Sequence, residues 1–164
     1  MKLYIKQKVF SWKDKFTVKG ENGNDKYFVE GEIFTLGKKL HIYDVTGNEV
    51  AFIHQKVLSF LPRYFVDVNG AEIAEIVKEL TFLKPKYRIG GLNWEINGSF
   101  LAHDYEITKL NSPIVTIRKA WVSWGDSYEL DIRDNNDEIM ALSVVLAIDC
   151  ATAQEAAAAT AFNS

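Results

Sequence analysis

Asp137-Glu138-Ile139-Met140-Ala141-Leu142-Ser143-Val144-Val145-Leu146-Ala147-Ile148-Asp149-Cys150-Ala151 is the stretch on which the fold turns. From Ile139 to Ile148 only Ser143 is polar, so the segment has almost no wet face. Asn135 or Asn136 is placed to cap a helix here, and Asp137 and Glu138 suit the positive end of its dipole. A helix apolar all round must be buried all round. The competing reading is one more buried strand, since Val and Ile abound; length and capping favour a helix over about 137–150. The Ala-rich tail, 151–164, either extends that helix or frays. The apolar run is about ten residues, roughly half of what a bilayer crossing needs. Asp149, Gln154 and Glu155 interrupt any longer span, so no transmembrane segment is expected.

What surrounds the helix is legible upstream. In Asp14–Lys19 the apolar Phe16 and Val18 share one face; in Lys39–Asp44, Leu40 and Ile42 do; in Ser127–Ile132, Tyr128, Leu130 and Ile132 do. Strict period two marks strands with one wet face. Turn residues separate these segments: Asn22-Gly23, Gly47-Asn48, Asn69-Gly70 and Asn111-Ser112-Pro113. Asn-Gly steps supply the positive φ of tight hairpins. The pattern up to residue 133 predicts about twelve strands. In a strand-rich single domain, the space that wraps a whole helix is the inside of a closed barrel, which also removes exposed edges.

Internal repetition supports the hairpins. Val45-Thr46-Gly47-Asn48-Glu49-Val50-Ala51-Phe52-Ile53 matches Val68-Asn69-Gly70-Ala71-Glu72-Ile73-Ala74-Glu75-Ile76 in its Gly, Glu, Ala and apolar positions. Ile73, Ile76, Val77 and Leu80 have helical spacing. Their counterparts Val50 and Ile53 lie in a hairpin strand, which makes 71–78 a strand as well.

Composition bounds the rest. The chain has 164 residues, is 48% hydrophobic and 25% charged, and contains 10 Phe, 7 Tyr and 4 Trp. Those are values of one globular domain with a real core, and the aromatic content argues against disorder. A formal net charge of −3 argues against coating nucleic acid, whose affinity comes from many cationic contacts to phosphate. Cys150 is the single cysteine, which excludes an internal disulfide framework and any multi-cysteine zinc site. The opening Met1-Lys2-Leu3-Tyr4-Ile5-Lys6-Gln7-Lys8 has no long apolar stretch, so no signal peptide is expected. The expected location is the cytoplasm, with peripheral attachment to a membrane as one candidate arrangement.

Twelve strands, repeated hairpins and a wholly apolar helix ending in Leu146-Ala147-Ile148-Asp149 resemble the LURP-one-related family. That family groups with tubby C-terminal domains and phospholipid scramblases. The opening eight residues, Phe34-Thr35-Leu36-Gly37-Lys38-Lys39-Leu40-His41-Ile42-Tyr43-Asp44 and Phe82-Leu83-Lys84-Pro85-Lys86-Tyr87 are similar to its short, YxjI-like bacterial members. The resemblance covers about residues 1–150. It implies a mainly β, twelve-stranded antiparallel barrel around a central helix, and it brings no catalytic residues with it. Tubby domains bind phosphoinositide head groups through surface Lys and Arg, and scramblases associate with membranes; neither property transfers to this chain by resemblance alone.

No phosphate-binding glycine loop and no G-x-S-x-G nucleophile elbow occurs. His41, His54 and His103 are scattered without metal-ligand spacing, so no metal and no cofactor is expected. His103-Asp104 is the closest pairing of imidazole and carboxylate, but adjacent strand residues point to opposite faces. An enzyme therefore ranks last, to be revived only by a polar cleft collecting His103 with a carboxylate. Glu72, Glu75 and Glu79 read as a solvated face, and Cys150 as a small buried hydrophobe. Trp121 and Trp124 read as plugs of barrel or turn positions. Lys84, Lys86 and Arg88 alternate, so a strand sets all three on one face, where they suit a phosphorylated head group. Lys38 and Lys39 join this candidate ligand site if the barrel brings them near, as do Arg118 and Lys119. The function expected is a noncatalytic binding or scaffold domain docking to anionic lipid or to a protein. The alternative is a carrier of a small apolar molecule in an open lumen. Oligomeric state is not legible.

Overall fold

The computed structural model describes residues 1–6, 15–32, 35–81, 86–123 and 125–162. Twelve strands run β1 (Lys2–Lys6), β2 (Phe16–Gly20), β3 (Asp25–Gly31), β4 (Lys39–Asp44), β5 (Glu49–Gln55), β6 (Arg63–Val68), β7 (Ala71–Glu79), β8 (Lys86–Gly90), β9 (Trp94–Ser99), β10 (Asp104–Lys109), β11 (Ser112–Val122) and β12 (Gly125–Ile132). A 3₁₀ turn at Phe100–Ala102 links β9 to β10; another at Asn135–Asp137 leads into the helix α1, Glu138–Phe162. All pairings are antiparallel, and the sheet order is β8-β7-β6-β5-β4-β3-β2-β1-β12-β11-β10-β9. The two termini of that order are β8 and β9, which the short turn after Gly90 brings side by side without a ladder, so the sheet is a nearly closed barrel.

The period-two pattern does the work expected of it. Leu3 and Ile5, Leu40 and Ile42, Tyr64 and Val66, Ile107, Ile117, and Leu130 and Ile132 all turn inward and are fully buried or nearly so. They meet α1, in which Leu142, Val144, Val145, Leu146 and Ile148 have no exposed surface. Each such side chain contributes about 1.5–3 kcal/mol by leaving water. Five of them together reach the typical stability of a whole domain, so α1 is the core of the barrel and not an accessory to it. By length and composition α1 is able to cross a bilayer, but 69% of its most apolar window is buried inside the protein. The open lumen required of an apolar-ligand carrier is filled by this helix.

Of the two alternatives for the Ala-rich tail, the helix continues through it to Phe162. Two expectations are corrected in detail. Neither Asn135 nor Asn136 provides the cap: Asp134 does, accepting a hydrogen bond from the Asn136 backbone N–H at 2.9 Å. Its carboxylate also favours the positive end of the helical segment. Trp121 plugs nothing. The β11–β12 hairpin runs on past the end of the barrel, and Trp121, in line with buried Val115 and Ile117, projects where no core remains; it is 85% exposed. Trp124 lies outside the described residues.

The turns obey backbone rules. Asn69 and Gly70 both have positive φ, 51° and 78°, the pair of angles that a two-residue hairpin with native twist demands.

Candidate functional site at the helix-exit rim

Strand direction assigns every loop to one of two ends. Helix α1 starts beside Met1 and the end of β12, crosses the barrel, and emerges among residues 35–38, 56–62, 80–81, 99–103 and the β11–β12 hairpin. That helix-exit rim carries Leu36, Val57, Leu58, Phe60, Leu80, Leu101 and Trp121, all large, apolar and exposed. Leu58 and Phe60 are more than 90% exposed, and Leu58 is held at φ 61°, an uncommon conformation for a non-glycine residue. Among the described residues the other large exposed apolar side chains are Val45 and Leu110 at the opposite end and Phe28 on the wall. A scattering of single apolar residues is normal for any surface; seven ringing one end of a barrel is a patch.

Charge is unevenly spread along the same axis. Lys6, Lys15, Lys38, Lys39, Lys56 and Lys86 stand at or near the helix-exit rim together with Glu30, Glu32 and Glu79, whereas Glu21, Asp25, Asp44, Glu49, Asp134 and Asp137 border the opposite end. At the rim Lys15, Lys39 and Lys86 face Glu30, Glu32 and Glu79, and at the acidic end Lys2 and Lys19 are tied to Glu129 and Asp25.

The predicted cationic face is reproduced only in part. Lys86 and Arg88 share the outer face of β8, flanking buried Tyr87. Lys84 lies outside the described residues. Lys86 is near Glu79 at 3.7 Å. Lys38 and Lys39 do not join Lys86 and Arg88: three strands separate β4 from β8, roughly 19 Å along the wall at normal strand spacing. Nor do the two lysines share a face. Lys39 points outward to Glu32 at 3.0 Å, while Lys38 turns in at the rim toward Cys150. Burial there pushes the Lys38 ammonium down to a pKa of about 8. Arg118 and Lys119 lie on the exposed β11–β12 hairpin.

Just below the rim is a polar cluster that sequence reasoning missed. Asp149, 6% exposed on α1, accepts a hydrogen bond from the Tyr128 hydroxyl. His103 caps the 3₁₀ turn in the left-handed region, φ 48°, stacks on Tyr128 with ring centroids 4.2 Å apart, and sets Nε2 3.4 Å from Asp149 Oδ1. The Tyr105 hydroxyl and His103 Nδ1 are buried without hydrogen-bond partners among the described residues. Burial, then the Asp149 charge, raises the phenols of Tyr105 and Tyr128 and the thiol of Cys150 well above their ordinary values. Cys150 is therefore a poor nucleophile, as expected of a buried thiol. His103 thus meets Asp149 and not its neighbour Asp104. The depressions of about 310 Å³ around Met1, Glu21 and Lys26 and about 350 Å³ between β6 and β8 lie elsewhere. Nothing in the cluster points to catalysis.

A family model of LURP-one-related proteins matches residues 1–149. The chain belongs to the LURP-one-related family. It is 37% identical to the uncharacterized protein YxjI of Bacillus subtilis (strain 168) over 149 residues, 91% of this chain and 92% of that protein. A solved structure of an Arabidopsis thaliana protein superposes with a TM-score of 0.62 at 15% identity, covering 91% of this chain and 90% of the other. At that identity the likeness speaks for the fold alone: a tubby-like, twelve-stranded barrel with a C-terminal helix at its centre.

Proposed function

We propose that this LURP-one-related barrel is a noncatalytic docking module whose helix-exit rim seats on an anionic membrane surface. The ring of exposed apolar side chains around the emerging helix carries the reading. Leu58, Phe60 and Trp121 are side chains that gain by entering the acyl boundary, each by about 1.5–3 kcal/mol when fully buried. The lysines near that end add about 1 kcal/mol each close to an anionic leaflet, while the acidic opposite end is repelled by it. The overall net charge of −3 does not oppose this, because lysines outnumber the carboxylates Glu30, Glu32 and Glu79 at the rim while acidic residues gather at the opposite end. Lys39 and Lys86 keep their place in the site; Arg88, farther down the wall, does not contact a surface met end-on.

Vesicle sedimentation tests it. The wild-type protein is expected to pellet with phosphatidylglycerol-containing vesicles, less so as salt rises, and not with pure phosphatidylcholine. The triple variant L58S/F60S/W121S, folded by circular dichroism, is expected to bind at least about tenfold more weakly, since about 1.4 kcal/mol already accounts for that factor. A wild type that stays in solution, or a triple variant that binds as well, overturns the proposal and leaves the rim to a protein partner.

A further inference from the structure

Sequence spacing hides a histidine–carboxylate cluster that three successive strands assemble on the outer wall. His54 on β5, Asp67 on β6 and Glu72 on β7 place one imidazole nitrogen and two carboxylate oxygens within 4.8 Å of one another. Asp67 and Glu72 are directly opposite in the β6–β7 register, at a bulge between Val66 and Asp67. Like charges in that relation repel. Among the described residues neither carboxylate is paired with a lysine or arginine, and Asp67 Oδ1 is buried without a hydrogen-bond partner. His54 Nε2 stands 3.7 Å from Asp67 Oδ2, too far for a hydrogen bond. Its ring is fixed from both sides, with the Phe52 centroid at 5.1 Å and that of Phe65 at 5.2 Å.

We infer that His54, Asp67 and Glu72 bind a first-row divalent transition-metal cation, with Zn²⁺ as the representative ion. Bonds of about 2.0–2.2 Å set neighbouring donors of a tetrahedral shell roughly 3.3–3.6 Å apart. His54 and Asp67 are already near that separation, and exposed Glu72 closes the remainder by side-chain rotation. One imidazole with two carboxylates suits zinc and its neighbours better than Ca²⁺ or Mg²⁺, which favour all-oxygen shells. The cation offsets the repulsion between the two carboxylates, and three protein ligands leave a position open. Glu72 and Phe65 also border the 350 Å³ depression that Arg88 lines, so an anionic group bridging metal and guanidinium has room there.

A second histidine site supplies the internal control. His41 contacts Glu32 through Nε2 at 2.9 Å and Glu49 through Nδ1 at 2.7 Å. Both ring nitrogens are engaged by carboxylates at contact distance, leaving no gap for an ion.

The experiment is calorimetric titration of metal-stripped, tag-free protein with Zn²⁺ alone, repeated with Co²⁺ to read coordination by visible absorption. One equivalent is expected to bind saturably, undisturbed by excess Mg²⁺. H54A and the near-isosteric D67N are each expected to weaken it at least about tenfold, the scale on which even outer-shell changes act. H41A is expected to leave it unchanged. Absence of saturable binding, unchanged affinity in folded D67N, or equal loss in H41A overturns the assignment. Vesicle binding by H54A is expected to equal that of wild type, so this site and the rim fail or stand separately.

Discussion

Replacing Tyr128 with Phe tests whether the buried polar cluster holds the helix in place. The substitution removes one oxygen and keeps the ring on which His103 stacks at 4.2 Å. Tyr128 has no exposed surface and Asp149 is 6% exposed, so water does not replace the lost donor. A hydrogen bond to a charged group contributes about 1.5–3 kcal/mol, and a buried acceptor left unsatisfied sits at the upper part of that range. For a domain of this size each kcal/mol moves Tm by about 2–4 °C, so Y128F is expected to melt roughly 3–12 °C lower. Urea unfolding followed by tryptophan fluorescence gives the same difference as a shifted midpoint with unchanged slope. The background of D149A sharpens the test. With the carboxylate gone, the Tyr128 hydroxyl is itself a buried donor without its acceptor, so Y128F in D149A is expected to cost nothing or to stabilise. A loss below about 0.5 kcal/mol in the wild type, or the same loss in both backgrounds, refutes the reasoning; surface changes alone scatter by that much.

Two further outcomes follow from the backbone and from charge. Lys38 holds its proton less tightly in the folded chain, with a pKa of about 8 against an ordinary 10.5, so the unfolded chain binds more protons between those values and stability rises with pH across that window. K38M is therefore expected to be more stable than wild type at pH 7, with the gap narrowing from pH 8 to 10.5 in paired urea titrations; a gap independent of pH contradicts the burial of the ammonium. A Cβ at Gly98, where φ is 122°, comes within 2.7 Å of Asp104 O and Tyr105 Cα, whereas one at Gly47, φ 87°, meets nothing within 4 Å. Both alanines incur backbone strain of about 1–3 kcal/mol at positive φ, and G98A adds the clash, so it is expected to melt clearly below G47A; equal melting points would contradict the close approach of β9 and β10.

The architecture was legible where one physical rule decided it. A segment with no polar face demands burial all round, and alternating strands provide a wall to bury it in; both readings stand in α1 and in β4 or β12. Lys86 and Arg88 fall on one face of β8 for the same reason. The error over Trp121 came from extending that alternation past the point where a core exists, and strand length alone does not reveal that point. Lys38 and Lys39 part at the rim, one turned in and the other out. Adjacent strand residues face opposite sides, which separates this pair as surely as it separates His103 from Asp104. The Asp149 cluster carries no local signal, because Tyr128 lies 21 residues away and His103 belongs to a different hairpin altogether. His54, Asp67 and Glu72 come together only once register across three strands is known.

A helix that is apolar on every side fills a barrel well but selects neither its rotation nor its depth, since sliding by a turn exchanges one greasy contact for another. Directional contacts must break that degeneracy. At the level of the rim Asp149 meets Tyr128 and His103, and one turn further Gln154 accepts hydrogen bonds from the Tyr64 hydroxyl at 2.9 Å and the Gln55 amide at 3.0 Å. At the other end Glu138 pairs with Lys26 of β3 and meets Tyr27, while Ser143 between them donates only to Ile139 O of its own helix at 2.7 Å. Anchors thus sit at both ends, and those at the rim bear on the candidate site. They come from β5, β6, β12 and the 3₁₀ turn, which carry or adjoin the loops bearing Val57, Leu58, Phe60, Leu101 and Trp121. The same polar residues that register the helix therefore tie together the elements that display the apolar rim. Loosening Asp149 is expected to disorder the docking surface before it unfolds the barrel, so D149N should lose vesicle binding at temperatures where its circular dichroism is still native. Binding that persists up to the unfolding transition would separate the two and leave Asp149 a role in register alone.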